Sequence, residues 1–143
     1  MKTLQQVIKE KNIQELLSVD PGQSLTDALT VMAKYKIGAL VVMKNKKMVG
    51  IISERDYARE VILGKKSPEN TIVKDIMTRK IISLSGTDTF EKGLEVMTEK
   101  RIRHLPVMQE NKILGMVSIG DLVKEMIDHQ KQLILQLESF IQT

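Results

Sequence analysis

Apolar residues along the chain recur with two periods, one typical of amphipathic helices and one typical of buried strands. The helix predictions begin at hydroxyl residues that can cap a helix, such as Thr3, Ser24 and Thr89. Turn signals such as Asp20-Pro21-Gly22 separate short apolar runs from these helices. The predicted strands are 16–19, 39–43, 48–52, 81–84, 104–108 and 112–117. The predicted helices begin after Thr3, after Ser24, after Ser53, at Thr89 and near Gly120, and the last three end at Gly64, Lys100 and Phe140.

The second half of the chain repeats the first at a shift of 65 residues. Residues 49–56 return as residues 114–121, and both copies read apolar, Gly, two apolars, Ser, any two residues, Asp. A repeat of this kind indicates one supersecondary unit, here strand-helix-strand-strand-helix, that cannot bury its apolar face alone. We therefore predict an α/β fold in which helices pack on small sheets. Identical pairs outside this stretch include Leu29/Leu94, Val31/Val96, Met32/Met97, Ile37/Ile102, Leu40/Leu105, Val42/Val107 and Ile62/Ile127.

The length of 143 residues suits one compact domain or two half-size units that share a core. The repeat predicts how the chain is divided between them. The predicted parts are an N-terminal helix (1–15), a first repeat (16–64), a connector (65–77), a second repeat (78–127) and a C-terminal helical extension (128–143).

Composition narrows the function classes. The chain has no cysteine, which excludes disulfides, thiolate metal sites and a cysteine nucleophile. Because it has only two histidines, we do not predict a histidine-rich metal site. No apolar run is long enough to span a membrane, and the N-terminal stretch is amphipathic, so we expect a soluble cytoplasmic protein. The net charge of +4 would suit an anionic ligand, but it also fits mixed charges on a solvated surface.

Two further classes are disfavoured by what the sequence lacks. Four aromatic residues leave little for base stacking on single-stranded nucleic acid, so a nucleic-acid partner is not expected. The chain contains no P-loop, dinucleotide fingerprint or nucleophile elbow, so we predict no catalytic residues and no enzymatic activity.

Two Ser/Asp pairs, Ser53/Asp56 and Ser118/Asp121, stand where a strand passes into a helix. The structural explanation is a capping box, with Asp in place of the usual Glu. The functional explanation is that the carboxylate accepts from both hydroxyls of a ribose, since an ionised acid offers paired acceptors and no donor. The Ser hydroxyl and free N–H groups at the helix start would then face a phosphate. A glycine three residues before each Ser would permit close backbone approach, which favours the functional explanation.

Basic residues flank these pairs unequally. Arg103 and His104 stand at the mouth of a strand where the first copy has Gly38-Ala39, and a guanidinium suits bidentate phosphate binding. Arg55 stands at a helix start, where a cation adds nothing to stability, and its counterpart is Gly120. The asymmetry predicts two unequal sites.

Together these motifs resemble a tandem pair of cystathionine-β-synthase (CBS) domains, the arrangement called a Bateman module. The resemblance covers roughly residues 16–64 and 71–127. The motifs that carry it are IGALVV at 37–42, GIISERDY at 50–57, VKDIMT at 73–78, RIRHLPV at 101–107 and GMVSIGD at 115–121.

The resemblance implies pseudo-twofold packing of the two repeats and a regulatory module that binds AMP, ADP, ATP or NAD in the clefts between them. It places ribose recognition on the two acids, a hydroxyl contact on the two serines, and phosphate recognition on Arg103 and His104. The chain also resembles the stand-alone members of the family, whose output passes to a separate regulated protein. The predicted ligand-binding residues are Ile37, Gly38, Ala39, Ser53, Arg55, Asp56, Arg103, His104, Pro106, Ser118 and Asp121, with no metal ligands. The alternative is a protein-interaction scaffold with degenerate clefts.

The final predicted helix is longer than the repeat requires, because its counterpart stops at Gly64. Beyond Ile127 it keeps an apolar face that has little left to cover within one subunit. We therefore predict a homodimer with this helix, and the helix that carries Leu4, Val7 and Ile8, at or near the interface.

Overall fold

The structure is a computed structural model that describes residues 1–11 and 16–142. Its elements in chain order are α1 (Leu4–Glu10), β1 (Ser18–Val19), α2 (Leu25–Tyr35), β2 (Ala39–Lys44), β3 (Lys47–Ser53), α3 (Glu54–Tyr57), a π-helical segment (Ala58–Leu63), α4 (Val73–Ile76), β4 (Leu84–Ser85), α5 (Phe90–Lys100), β5 (His104–Gln109), β6 (Lys112–Ser118) and α6 (Ile119–Gln142). Contacts divide the chain into two units. The first-repeat unit is Leu17–Ile82, and the second-repeat unit is Met1–Leu16 with Ser83–Thr143.

A three-stranded sheet lies at the centre of the first-repeat unit. Its order is β1-β2-β3, with β1 parallel to β2 and β2 antiparallel to β3. Ser24 caps α2 by accepting from the backbone N–H of Asp27, and Lys36 ends the helix in the left-handed conformation. The sheet and the helices enclose a core of buried residues, namely Val19, Leu25, Ala28, Met32, Leu40, Val42, Ile52, Val73, Ile76 and Met77.

The second-repeat unit has the same arrangement. Its sheet order is β4-β5-β6, again with one parallel and one antiparallel pair. Thr89 caps α5, and Arg101 ends it in the left-handed conformation. The predicted α/β fold of helices on small sheets is confirmed. Buried residues of this unit include Leu4, Val7, Phe90, Met97, Leu105, Val107, Val117 and Leu122.

Each sheet is contacted by a helix that precedes the other repeat in the chain, α4 against β3 and α1 against β6. In the first-repeat unit, the N–H of Val73 in α4 donates to the carbonyl of Gln23 at 2.9 Å. In the second-repeat unit, the N–H of Leu4 in α1 donates to the carbonyl of Asp88 at 2.8 Å. The two acceptors are 65 residues apart, but the two donors are 69 apart. The gapless sequence repeat therefore does not reveal that α1 and α4 are equivalent.

The same helices bear on the predicted division of the chain. The segment predicted as a connector, 65–77, contains α4 and belongs to the first-repeat unit. The predicted boundary between residues 15 and 16 touches residues 12–15, which lie outside the described residues. The predicted boundaries remain a proposal, and the contact-based division groups 1–16 with the second repeat.

Three predicted elements differ from the structure. The strand predicted at 16–19 is only Ser18–Val19, which pairs with β2 at those two positions. The strand predicted at 81–84 is only Leu84–Ser85, because β4 pairs with β5 at just those two positions. The helix after Ser53 becomes π-helical, with the Gly64 N–H donating to the carbonyl of Arg59 five residues back. Ile62, predicted on the apolar face of this helix, is exposed.

The last helix, α6, runs from Ile119 to Gln142, close to the predicted span. Within the described ranges, no helix combines the length and the apolar character needed to cross a membrane.

Candidate functional site

Both Ser/Asp pairs form capping boxes. In the first repeat, the N–H of Ser53 donates to Asp56 Oδ2 at 2.9 Å, and the N–H of Asp56 donates to Ser53 Oγ at 3.2 Å. In the second repeat, the N–H of Ser118 donates to Asp121 Oδ2 at 2.8 Å, and the N–H of Asp121 donates to Ser118 Oγ at 3.1 Å. The structural explanation of these residues is therefore correct in both copies. Each box holds its carboxylate in a defined orientation and uses one of its two oxygens.

The second oxygen of Asp56 is also engaged. Arg59 Nη2 donates to Asp56 Oδ1 at 2.9 Å, one helical turn away. Ser53 Oγ makes a third contact with the carboxylate by donating to Oδ2 at 3.0 Å. The side chain of Asp56 is only 7% exposed. A ligand that used this carboxylate would compete with Arg59 for Oδ1.

Asp121 is more open. Its side chain is 26% exposed, and its described polar contacts fall on Oδ2, which lies 2.9 Å from Lys11 Nζ. Lys11 Nζ also donates to the carbonyl of Met116 at 2.9 Å. Within the described part of the chain, Oδ1 of Asp121 accepts no hydrogen bond. This oxygen can accept from an incoming hydroxyl without breaking an existing contact.

In both units, the carbonyl just before a central strand accepts a hydrogen bond from the first N–H of the helix that follows the capping serine. The N–H of Glu54 donates to the carbonyl of Gly38 at 3.0 Å, and the N–H of Ile119 donates to the carbonyl of Arg103 at 2.9 Å. Two of the N–H groups at each helix start are thus satisfied internally, one by this carbonyl and one by the Ser hydroxyl. The prediction that these N–H groups are free to face a phosphate is wrong for them.

His104 is brought to the capping box of its own repeat. It begins β5 and stands opposite Ser118 in the antiparallel ladder. Burial is the largest cause that lowers the pKa of His104 below its usual value, and the cations Lys11 and Arg103 lower it further, against the opposing effect of Asp121. His104 therefore offers a neutral imidazole at neutral pH, with one nitrogen as donor and one as acceptor.

The remaining predicted residues differ in accessibility. Arg55 and Arg103 are exposed, and their side chains are available to an anion. Ala39 is 2% exposed and Pro106 is buried within β5, so both offer little side-chain surface. Ile37 is half-buried against the core of the first-repeat unit.

The glycines before the two pairs have a packing explanation. A Cβ at Gly50 would lie 2.6 Å from Met77 Sδ and 3.0 Å from the carbonyl oxygen of Thr78. A Cβ at Gly115 would lie 3.3 Å from Cγ2 of Ile8. The close approach predicted for a ligand is made here by the chain itself, through the segments that cover each sheet. These glycines therefore do not favour the functional explanation over the structural one.

Comparison with known proteins decides the family. A family model described as CBS domain matches the chain twice, at residues 8–63 and 73–128. The chain belongs to the CBS-domain family. It carries two CBS domains in tandem, as the sequence motifs predicted, and each match lies mostly, not wholly, within one unit.

Individual relatives agree. The CBS domain-containing protein CBSX3 of Arabidopsis thaliana, a mitochondrial protein by name, is 38% identical over 121 residues, which are 81% of this chain and 59% of that protein. The chain thus spans somewhat more than half of that relative. The structure of a candidate signal-transduction protein with CBS domains from Burkholderia ambifaria MC40-6 matches with a TM-score of 0.86 and 39% identity, covering 90% of this chain and 96% of that one.

A more distant CBS pair was solved with ligands. The CBS domain pair of protein MJ0100, in complex with 5′-methylthioadenosine and S-adenosyl-L-methionine, matches with a TM-score of 0.79 and 20% identity. The match covers 90% of this chain and 98% of that one, and it shows a shared fold.

Sequence reasoning missed two residues that pair with the predicted site acids. Arg59 pairs with Asp56 at a spacing of three residues on a helix, which is a signal that the sequence does carry. Lys11 reaches Asp121 from 110 residues away in the chain, and no sequence pattern pointed to it. In the described segments, no group of three or more acidic or histidine side chains is placed to hold a metal ion.

Proposed function

We propose that the chain is a regulatory, non-catalytic module that binds an adenosine-containing ligand, such as AMP, ADP, ATP or NAD, and signals to a separate partner protein. The observation that carries the proposal is Asp121, whose carboxylate is oriented through Oδ2 while Oδ1 accepts no described hydrogen bond. Ribose presents two adjacent hydroxyl donors, and an ionised carboxylate accepts such a pair.

The surroundings of Asp121 support a phosphorylated ligand. Arg103 is exposed at the strand mouth, and His104 stands beside the capping box. A guanidinium supplies a planar pair of donors for a phosphate. The ligands in the MJ0100 structure share an adenosine moiety, which supports the nucleoside as the common element of recognition.

We infer that the two repeats bind unequally. Asp56 is held at both oxygens, and the residue that corresponds to His104 is the buried Ala39. Asp121 keeps one open oxygen. The second repeat therefore supplies the stronger ribose-binding position.

One observation favours the alternative, an interaction scaffold that binds no nucleotide. The two capping boxes account for both Ser/Asp pairs without a ligand. Isothermal titration of adenosine, AMP, ATP and NAD into the protein separates the two functions. Saturable binding that Asp121→Ala weakens supports the nucleotide sensor. The absence of binding for all four at millimolar concentration would contradict the nucleotide sensor and favour the scaffold.

We also propose that the chain self-associates as a homodimer through the extension of α6. The predicted contribution of α1 is reduced, because Leu4 and Val7 are buried within their own unit. The extension of α6, in contrast, is exposed. Light scattering at micromolar concentration tests this proposal, and a monomer would contradict it. A cytoplasmic location stays a prediction from the sequence.

A further inference from the structure

Helix α6 is partitioned along its length. Its buried residues are Leu122 and Glu125, both in the first two turns, whereas every described residue from 130 to 142 is exposed. The exposed half nevertheless carries large apolar side chains, which cost free energy when they remain in water. These side chains are Leu133, Ile134, Leu135, Leu137, Phe140 and Ile141.

Three of these six side chains belong to a regular seam that begins earlier in the helix. Counting from Val123, positions separated by four, three, four, three and four residues form one line along the helix. This is the a/d spacing of a heptad repeat, which favours helix-on-helix packing. The seam rises about 27 Å from its first residue to its last. Its members are Val123, Ile127, Gln130, Ile134, Leu137 and Ile141.

The seam does not face the body of its own unit. Leu122 packs closely against Gly93, since a Cβ added at Gly93 would lie 2.6 Å from Leu122 Cδ1. The His129 ring lies 6.0 Å from the Phe90 ring in an edge-to-face arrangement. At about 100° per residue, the seam lies about 120° around the helix from Leu122 and His129. The side chain of Ile127 is accordingly 48% exposed.

Charges beside the seam select its partner. Lys124, Lys131 and Glu138 recur every seven residues along one flank. Among the described residues, neither Lys124 nor Glu138 has an ion-pair partner. In a parallel pair of helices this flank meets the opposite flank, which carries Met126, Leu133 and Phe140.

An antiparallel pair gives a different result. The charged flank then meets itself in reverse order, so Lys124 of each copy lies opposite Glu138 of the other. Two ion pairs form, and Lys131 meets its own counterpart near the centre. The same alignment sets Val123 opposite Ile141 and Ile127 opposite Leu137. Charge complementarity thus selects a second, antiparallel copy of the same helix.

We propose that the seam of α6 docks antiparallel against the same seam of a second copy, with Val123 opposite Ile141. This inference rests on the proposed self-association and adds the surface, the orientation and the register. It makes no use of the nucleotide proposal.

Cross-linking tests the orientation, since the chain has no cysteine of its own. We expect Val123→Cys chains mixed with Ile141→Cys chains to give a disulfide-linked heterodimer under mild oxidation. Val123→Cys alone should stay uncross-linked, because its two sulfurs would lie about 27 Å apart along the axis. A disulfide needs Cα atoms within about 7 Å. Rapid cross-linking of Val123→Cys alone, or no cross-link in the mixture, would overturn the proposal.

A matched pair of variants tests the surface. Leu137 and Leu135 are exposed to similar extents, at 62% and 64%, but only Leu137 lies in the seam. We expect Leu137→Glu to weaken dimerisation at least about tenfold, since a charge would be buried in the interface, and Leu135→Glu to change it less than about twofold. Circular dichroism confirms that both variants keep the helix. Equal effects, or none, would refute the seam.

A charge exchange tests the register. Lys124→Glu and Glu138→Lys should each weaken dimerisation, and the chain carrying both changes should recover it, because both cross-pairs are restored with reversed sign. A double variant that is weaker than either single variant would contradict the register. A monomeric wild-type protein would refute the self-association as well, whereas a dimer that ignores Leu137→Glu would refute the α6 surface alone.

Discussion

The two CBS repeats contain the same capping box in different surroundings. In the first repeat, Asp56 is nearly buried and Arg59, from its own helix, occupies the second oxygen. In the second repeat, Asp121 is partly exposed, and its cation, Lys11, comes from the far end of the chain and shares the oxygen already used by the box. The comparison teaches that the duplicated motif sets the orientation of a carboxylate, whereas the neighbours set how exposed it is and which of its oxygens are already engaged.

The largest expected difference between the repeats concerns ligand affinity. Asp121→Ala should weaken binding of an adenosine ligand by roughly tenfold or more, because it removes charge-assisted hydrogen bonds to the ribose. Asp56→Ala should weaken it by less than about threefold, since Asp56 is already paired with Arg59. Isothermal titration measures both.

The loss in the free energy of unfolding should show the opposite order, with the larger loss for Asp56→Ala, and this measurement serves as the control. Asp56→Ala removes a buried acid with more described contacts, at a cost of about 1–2 kcal/mol, and Asp121→Ala should cost less. Urea unfolding gives both values. If both variants lose affinity in proportion to their loss of stability, the ribose assignment is wrong.

Substitution of the two glycines, Gly50 and Gly115, should also affect the two repeats unequally. Gly50→Ala places a Cβ against Met77 and the backbone of Thr78, and we expect a loss of about 1–3 kcal/mol in the free energy of unfolding. Gly115→Ala meets only the side chain of Ile8 at 3.3 Å and should cost less than about 1 kcal/mol. Urea denaturation of the two variants compares them directly, and equal losses would show that the two covering segments are packed alike.

The arginines test the phosphate assignment. Arg103→Ala should weaken AMP about three- to tenfold while leaving adenosine nearly unchanged, because only AMP carries the phosphate. Arg55→Ala should have a smaller effect, since it stands beside the engaged Asp56. Titrations of AMP and adenosine into each variant provide the test. An equal loss for both ligands would mean that the arginine acts through folding.

The smallest expected effect is a pH dependence of stability from His104. Burial lowers its pKa in the folded state, so the unfolded chain binds more protons just below about pH 6.5. The stabilising effect of the neutral imidazole is present above that pH and is lost as the pH falls through the lowered pKa. In the His104→Ala variant, which has the alanine found at the corresponding position 39, the free energy of unfolding should depend less on pH than in the wild type. Urea unfolding at about pH 7.5 and about pH 5 compares the two, and identical dependences would exclude this role.

The repeat, the helix caps and most element spans could be predicted because they depend on local chemistry. Ser24 and Thr89 cap their helices through neighbours three residues away, and the strand-helix order follows from apolar spacing. The π-helical segment was missed because the apolar pattern of Val61 and Ile62 fits an ordinary helix equally well.

What the sequence determined by itself is therefore the CBS family, the two similar units and the orientation of both carboxylates, since each of these is written in residues close together in the chain. Only the tertiary structure decided which helix covers which sheet, why Gly50 and Gly115 must be small, and which cation reaches Asp121. These features depend on contacts between distant segments, such as Lys11 with Asp121. Local patterns do not record such contacts, because burial and charge at one residue are set by whichever segment packs against it.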